Sequence, residues 1–70
     1  MVRPAMKVRD LIKMLNADGW ERVRMRGSHR QFRHVSKPGT ITVAGNENID
    51  IPPGTLASIL KQAGLKQVED

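Results

Sequence analysis

The apolar residues of this chain change their spacing twice along its length, and that change restricts it to a mixed fold of helices around a sheet. Val8, Leu11, Ile12 and Leu15 fall at i, i+3, i+4 and i+7, the stripe of an amphipathic helix running to about Ala17. Gly19 then supplies a stop. Beyond it the period drops to two. Val23 and Met25 alternate with Arg22, Arg24 and Arg26, which predicts a strand with apolar residues on one face and three guanidinium groups on the other. Gly27-Ser28 reads as a hairpin turn, and a return strand starting at His29 would direct Phe32 inward and His29, Gln31 and Arg33 outward. This registry is sensitive, since a slip of one residue reverses it. After a turn at Ser36-Lys37-Pro38-Gly39, a third strand over Thr40 to Val43 turns Ile41 and Val43 inward. Residues 44–52 lack periodicity and read as a connecting loop. Helical spacing then returns: Pro53 suits a first helical turn, Leu56, Ile59, Leu60 and Ala63 make the buried stripe, and Gly64 ends it.

The predicted class is therefore α+β in the order α-β-β-β-α, a three-stranded antiparallel sheet with both helices on one face and the other face open. Seventy residues form one domain, 1–70, with a core over about 6–66 and frayed ends at 1–5 and 67–70. Burying a large apolar side chain contributes about 1.5–3 kcal/mol, against about 1–2 kcal/mol of backbone entropy per ordered residue. A tight partner would add materially to so thin a surplus. The absence of cysteine removes disulfides and thiolate metal sites and fits a reducing compartment. No apolar run approaches the roughly 18 residues of a membrane span, and no hydrophobic stretch follows Met1-Val2-Arg3-Pro4-Ala5. A soluble, cytoplasmic protein is expected.

Net charge is +5, and its distribution says more than its total. Between Trp20 and Lys37 lie six basic residues against the single acid Glu21, while the rest of the chain is balanced. On the predicted sheet the open face collects Arg22, Arg24, Arg26, His29, Gln31, Arg33, Thr40 and Thr42. Clustered guanidinium groups suit a phosphate backbone; alternatively, they merely solubilise the sheet and protect its edges. Trp20 and Phe32, the only aromatic residues, are better used as core, so recognition by base stacking is disfavoured.

Two histidines are the side chains suited to proton transfer near neutral pH. His29 lies between Arg26 and Arg30, whose charge favours the neutral imidazole that a general base needs. In RNA the proton to remove is that of the 2′-hydroxyl, whose oxygen then attacks the adjacent phosphorus, and neighbouring guanidinium groups stabilise the charge that builds up. Taken alone, an exposed hairpin histidine is more often structural or incidental. His34 has the opposite parity and is expected to be structural. The odd His29 to His34 offset suits no strand-borne metal pair, and Glu47 and Asp50 are expected to cap a helix or remain solvated. No P-loop, dinucleotide fingerprint or nucleophile elbow is present. Neither a metal nor a cofactor is expected.

From about Met6 to Lys66 the sequence resembles the HicA family of bacterial toxins. The resemblance rests on the joint order of three elements: Val8-Arg9-Asp10-Leu11-Ile12-Lys13-Met14-Leu15 followed by Gly19-Trp20; Arg26-Gly27-Ser28-His29-Arg30-Gln31-Phe32; and Pro53-Gly54-Thr55-Leu56 leading to Leu60-Lys61-Gln62-Ala63-Gly64-Leu65. It implies a double-stranded-RNA-binding-domain-like fold and an mRNA endonuclease, or mRNA interferase, that blocks translation and is held inactive by a HicB antitoxin. In such toxins the histidine of the Gly-Ser-His segment is catalytic, and here that is His29. The RNA contacts expected are Arg22, Arg24, Arg26, Ser28, Arg30, Gln31, Arg33 and Lys37. Family members often carry a proline and a further histidine where this chain has Ala44-Gly45-Asn46, and often a lysine near Asn48-Ile49. Met1 to Ala5 lies outside the resemblance, so Met1 and Met6 both stand as candidate starts.

Two further functions compete with the endonuclease. A non-catalytic module of the same fold would sit on structured RNA by reading shape and 2′-hydroxyls, using the arginines without the imidazole. A DNA-binding regulator has less support, because neither helix carries the basic and amide cluster suited to a major groove.

Overall fold

A computed structural model describes residues 6–65, and the ends expected to fray lie outside the described residues. The elements are α1 (Val8–Asp18), β1 (Trp20–Arg26), β2 (His29–His34), β3 (Ile41–Ala44) and α2 (Pro53–Ala63). The strands form an antiparallel sheet in the order β1-β2-β3. Both helices bury their stripes on one side of it. Val8, Leu11 and Leu15 of α1 and Ile59, Leu60 and Ala63 of α2 share one core with Trp20, Phe32, Ile41 and Val43. Ile12 and Leu56 pack half-buried at its margin.

The central strand β2 alternates as its sequence predicts. Phe32 is buried, and His29 and Arg33 are exposed on the opposite face, with Gln31 partly covered. The first strand departs from prediction. Regular pairing runs Trp20 to His34, Glu21 to Arg33 and Arg22 to Phe32, then resumes one residue later with Arg24 to Gln31, Met25 to Arg30 and Arg26 to His29. Val23 is the extra residue of a β-bulge, and each bulge reverses strand parity. Trp20 and Met25 are an odd number of residues apart, so a regular strand would send them to opposite faces; the bulge puts both on the helix side. The expectation that Val23 and Met25 build the core is corrected: they are 57% and 48% exposed, and Trp20 alone of β1 is buried. The third strand also begins one residue late, leaving Thr40 outside it.

The segment between β3 and α2 is more than a connector. Ile51 is buried in the core, and its N–H donates to the Met6 carbonyl at 2.8 Å. Ile49 and Glu47 carbonyls accept from the Val8 and Arg9 N–H groups at 3.0 Å each. A helix start leaves such donors unpaired, and here Lys7 in the capping position offers no side-chain acceptor, so the loop carbonyls satisfy them instead. Lys7 also pairs with Asp50 across an isolated bridge, so Asp50, exposed as one of its two expected roles has it, also tethers the loop to the start of α1.

Gly19 is held by two constraints at once. Its φ of 103° lies in the left-handed region, and a Cβ there would meet His34 Nε2 at 2.7 Å. Gly19→Ala is expected to cost about 1–3 kcal/mol of stability, the left-handed penalty plus displacement of the imidazole, with a lowered urea midpoint at unchanged slope.

Candidate nucleic-acid interface and catalytic histidine

The open face is a small grid fixed by strand register. His29 stands between Arg26 on β1 and Ala44 on β3; Gln31 stands between Arg24 and Thr42; Arg33 faces Glu21. Residues directly opposed across antiparallel strands have Cβ atoms about 4.5–5.5 Å apart. Arg26 therefore borders the imidazole directly, with Arg24 on the next row. Ala44 on the other flank is small, so His29 is open to solvent from the β3 side. Ser28 sits in the turn that ends β1, and its carbonyl accepts from the Gly45 N–H at 3.1 Å, tying the hairpin tip to the end of β3.

Three of the expected RNA contacts lie elsewhere. Arg22 precedes the bulge and shares the helix side with Phe32, where its Nη1 lies 3.4 Å from the Met25 sulfur. Arg30 has the parity of Phe32 and is only 7% exposed, with Nη1 donating to the Gly45 carbonyl at 2.7 Å. It therefore cannot flank His29 on the open face, and Arg26 supplies that charge across the strands. Lys37 is turned inward as well, its ammonium held by the Asp18 carboxylate and donating to the Ala63 carbonyl at 3.0 Å. Strand parity was the signal that placed Arg30; nothing local in the sequence pointed to the partners of Lys37.

His34 is structural, as expected. Its Nδ1 accepts from the N–H groups of Ser36 and Lys37 at 3.0 and 3.2 Å, so the ring proton sits on Nε2, which donates to the Asp18 carbonyl at 2.6 Å. The ring meets Trp20 edge-on with centroids 5.3 Å apart. The Trp20 indole N–H is buried without a hydrogen-bond partner among the described residues. Asp18, His34, Lys37 and the last carbonyl of α2 thus pin together the ends of both helices and the far end of β2. The Lys37 ammonium, bonded to Asp18, holds that carboxyl below its ordinary value of 3.8 against the opposing effect of desolvation.

Among the described residues no three His, Cys, Asp or Glu side chains converge on a possible metal position, and no helix is long and apolar enough to cross a membrane. Comparison with protein families matches residues 8–65 to the family described as HicA toxin of bacterial toxin-antitoxin. No curated protein matches the chain.

A carboxyl held low by a native partner stabilises the fold above its unfolded-state value, and that contribution disappears as pH falls through the native value. Stability is therefore expected to drop as pH is lowered below about 4. Asp18→Asn should be less stable at pH 7 and show a shallower acid loss, as measured by urea unfolding across pH 2–7.

Proposed function

The chain belongs to the HicA family of bacterial toxin–antitoxin toxins, and from that premise we propose that it is an endoribonuclease that cleaves mRNA with His29 as its acid–base group. The observation that supports this most is the position of His29. It is exposed on the open face, bordered by Arg26 across the hairpin, with Arg24 one row away and both of its ring nitrogens free of hydrogen bonds among the described residues. The other histidine has both nitrogens committed to the fold.

In the proposed reaction the neutral His29 imidazole removes the 2′-hydroxyl proton of a bound ribonucleotide. The 2′-oxygen forms a bond to the adjacent phosphorus, the bond to the 5′-oxygen breaks, and that oxygen leaves with the electron pair and takes a proton from water, whose hydroxide then accepts the proton held by His29. The products are a 2′,3′-cyclic phosphate and a 5′-hydroxyl. Arg26 and Arg24 lie where guanidinium groups would stabilise the pentavalent phosphorus. Gln31, Arg33 and the Ser28 hydroxyl extend the contact along the face and over the turn. Arg22, Arg30 and Lys37 have other partners and are left out of the backbone clamp. The reaction needs no metal or cofactor.

The expected partners are mRNA and a HicB-like antitoxin. A partner covering the basic face would quench its field and exclude substrate together. A cytoplasmic location follows from this reading, since mRNA is the substrate. Ala44-Gly45-Asn46 stands where family members often carry a proline and a further histidine, and its first residue opposes His29, so this chain would rely on His29 alone.

A positioned general base typically contributes about 10²–10⁴-fold. His29→Ala should lose turnover by that factor and keep its RNA affinity, and cells expressing it alone should grow while those expressing the wild type arrest. Equal cleavage by the two purified proteins would instead favour a non-catalytic RNA-binding module. Each phosphate contact adds about 0.7 to the slope of log affinity against log salt for single strands. Arg24→Gln should reduce that slope by about this amount, whereas Lys37→Gln should leave it unchanged.

A further inference from the structure

The sheet ends, at the hairpin tip, in an open pocket of about 550 Å³ on the side of β2 away from His29. Its walls include Arg9, Met25, Ser28, Arg30, Glu47 and Asn48. The flanking residues of His29, Ser28 and Arg30, both line it. Chain passing over the hairpin tip would thus meet the imidazole on one face and this pocket on the other.

The pocket holds a built arrangement of donors and acceptors. The Arg30 side chain is 9% exposed and clamped through Nη1 to the Gly45 carbonyl, while Nη2 makes no hydrogen bond among the described residues. The Glu47 carboxylate pairs with it loosely at 3.9 Å, within ion-pair range and beyond hydrogen-bond length. Arg9 is fixed by its own bond from Nη1 to Asn48 Oδ1 at 3.0 Å. Met25, directly opposite Arg30 and beyond the cover of the helices, offers a half-exposed thioether surface. A buried guanidinium with spare donors is therefore held beside an exposed carboxylate that makes no hydrogen bond among the described residues, next to a polarisable apolar wall.

We propose that this pocket takes a guanine base of the RNA substrate, a specificity subsite that rests on the RNA-cleaving reading above. A bound phosphate is disfavoured because Glu47 would face it. Guanine presents O6 and N7 as acceptors, which suit a guanidinium, and N1–H and N2–H as paired donors, which suit a carboxylate. Adenine offers an amine where Arg30 needs an acceptor and a bare ring nitrogen toward Glu47. Uracil has one ring N–H between two carbonyls, and cytosine gives the carboxylate one N–H group where guanine gives two. Met25 supplies sulfur and methylene contact to the ring.

The test reads the pocket without cleavage. Guanosine, adenosine, cytidine and uridine 5′-monophosphates are titrated into the full-length protein while the Met25 methyl and Arg30 Nε resonances are followed. The guanine nucleotide should shift both at concentrations about tenfold lower than the others require, the discrimination expected of one paired base contact. Glu47→Gln, at an exposed position outside the proposed catalytic group, should erase that preference with the fold intact. In parallel, replacing guanosine by inosine in a cleaved RNA removes the 2-amino group and should slow wild-type cleavage about tenfold while Glu47→Gln is indifferent. Equal shifts by all four nucleotides, or an unchanged preference in Glu47→Gln, would overturn the subsite. A His29→Ala enzyme that still cleaves would defeat the catalytic reading and leave the titration to be judged separately.

Discussion

Everything in this fold refers back to the two-residue alternation of β2. It is the central strand, bonded on both edges, so which way each of its side chains points decides which face every neighbour shares. Arg30, Phe32 and His34 go to the helices; His29, Gln31 and Arg33 go to solvent. The core therefore gains its one phenylalanine from the same strand that presents the candidate catalytic histidine. Displacing either by one residue exchanges both faces together, which ties the chemistry to the burial of Phe32.

Most of this was legible because it is local and periodic. Helix stripes, the glycine stops and the hairpin tip follow from spacing and from the few residues that tolerate left-handed backbone. The β1 bulge was not legible in the same way. Strict alternation of Val23 and Met25 with arginines describes a regular strand, and nothing within it announces an extra residue. Only the need to bury Trp20, in a chain so short of large side chains, favours the irregular solution. The bulge also twists an edge strand whose unpaired groups would otherwise invite pairing with another chain.

The candidate site was legible in outline, and three of the expected members stand off the open face, each for a definite reason. Arg22 was moved by the bulge. Arg30 obeyed the parity already assigned to Phe32, which outweighed the usual exposure of arginine because Gly45 offers it a carbonyl. Lys37 was claimed by partners 19 and 26 residues distant, Asp18 and Ala63. What remains on the face, Arg24, Arg26, His29, Gln31 and Arg33, is a narrower set, with its charge concentrated beside the imidazole.

The pin formed by Asp18, His34 and Lys37 closes one end of β2, while the hairpin tip and the pocket occupy the other, about 17 Å away at the rise of an extended strand. Mutational drift at the tip need not loosen the clasp that keeps the helices seated. If the tip selects the RNA as proposed, its contacts are free to change while the architecture stays constant.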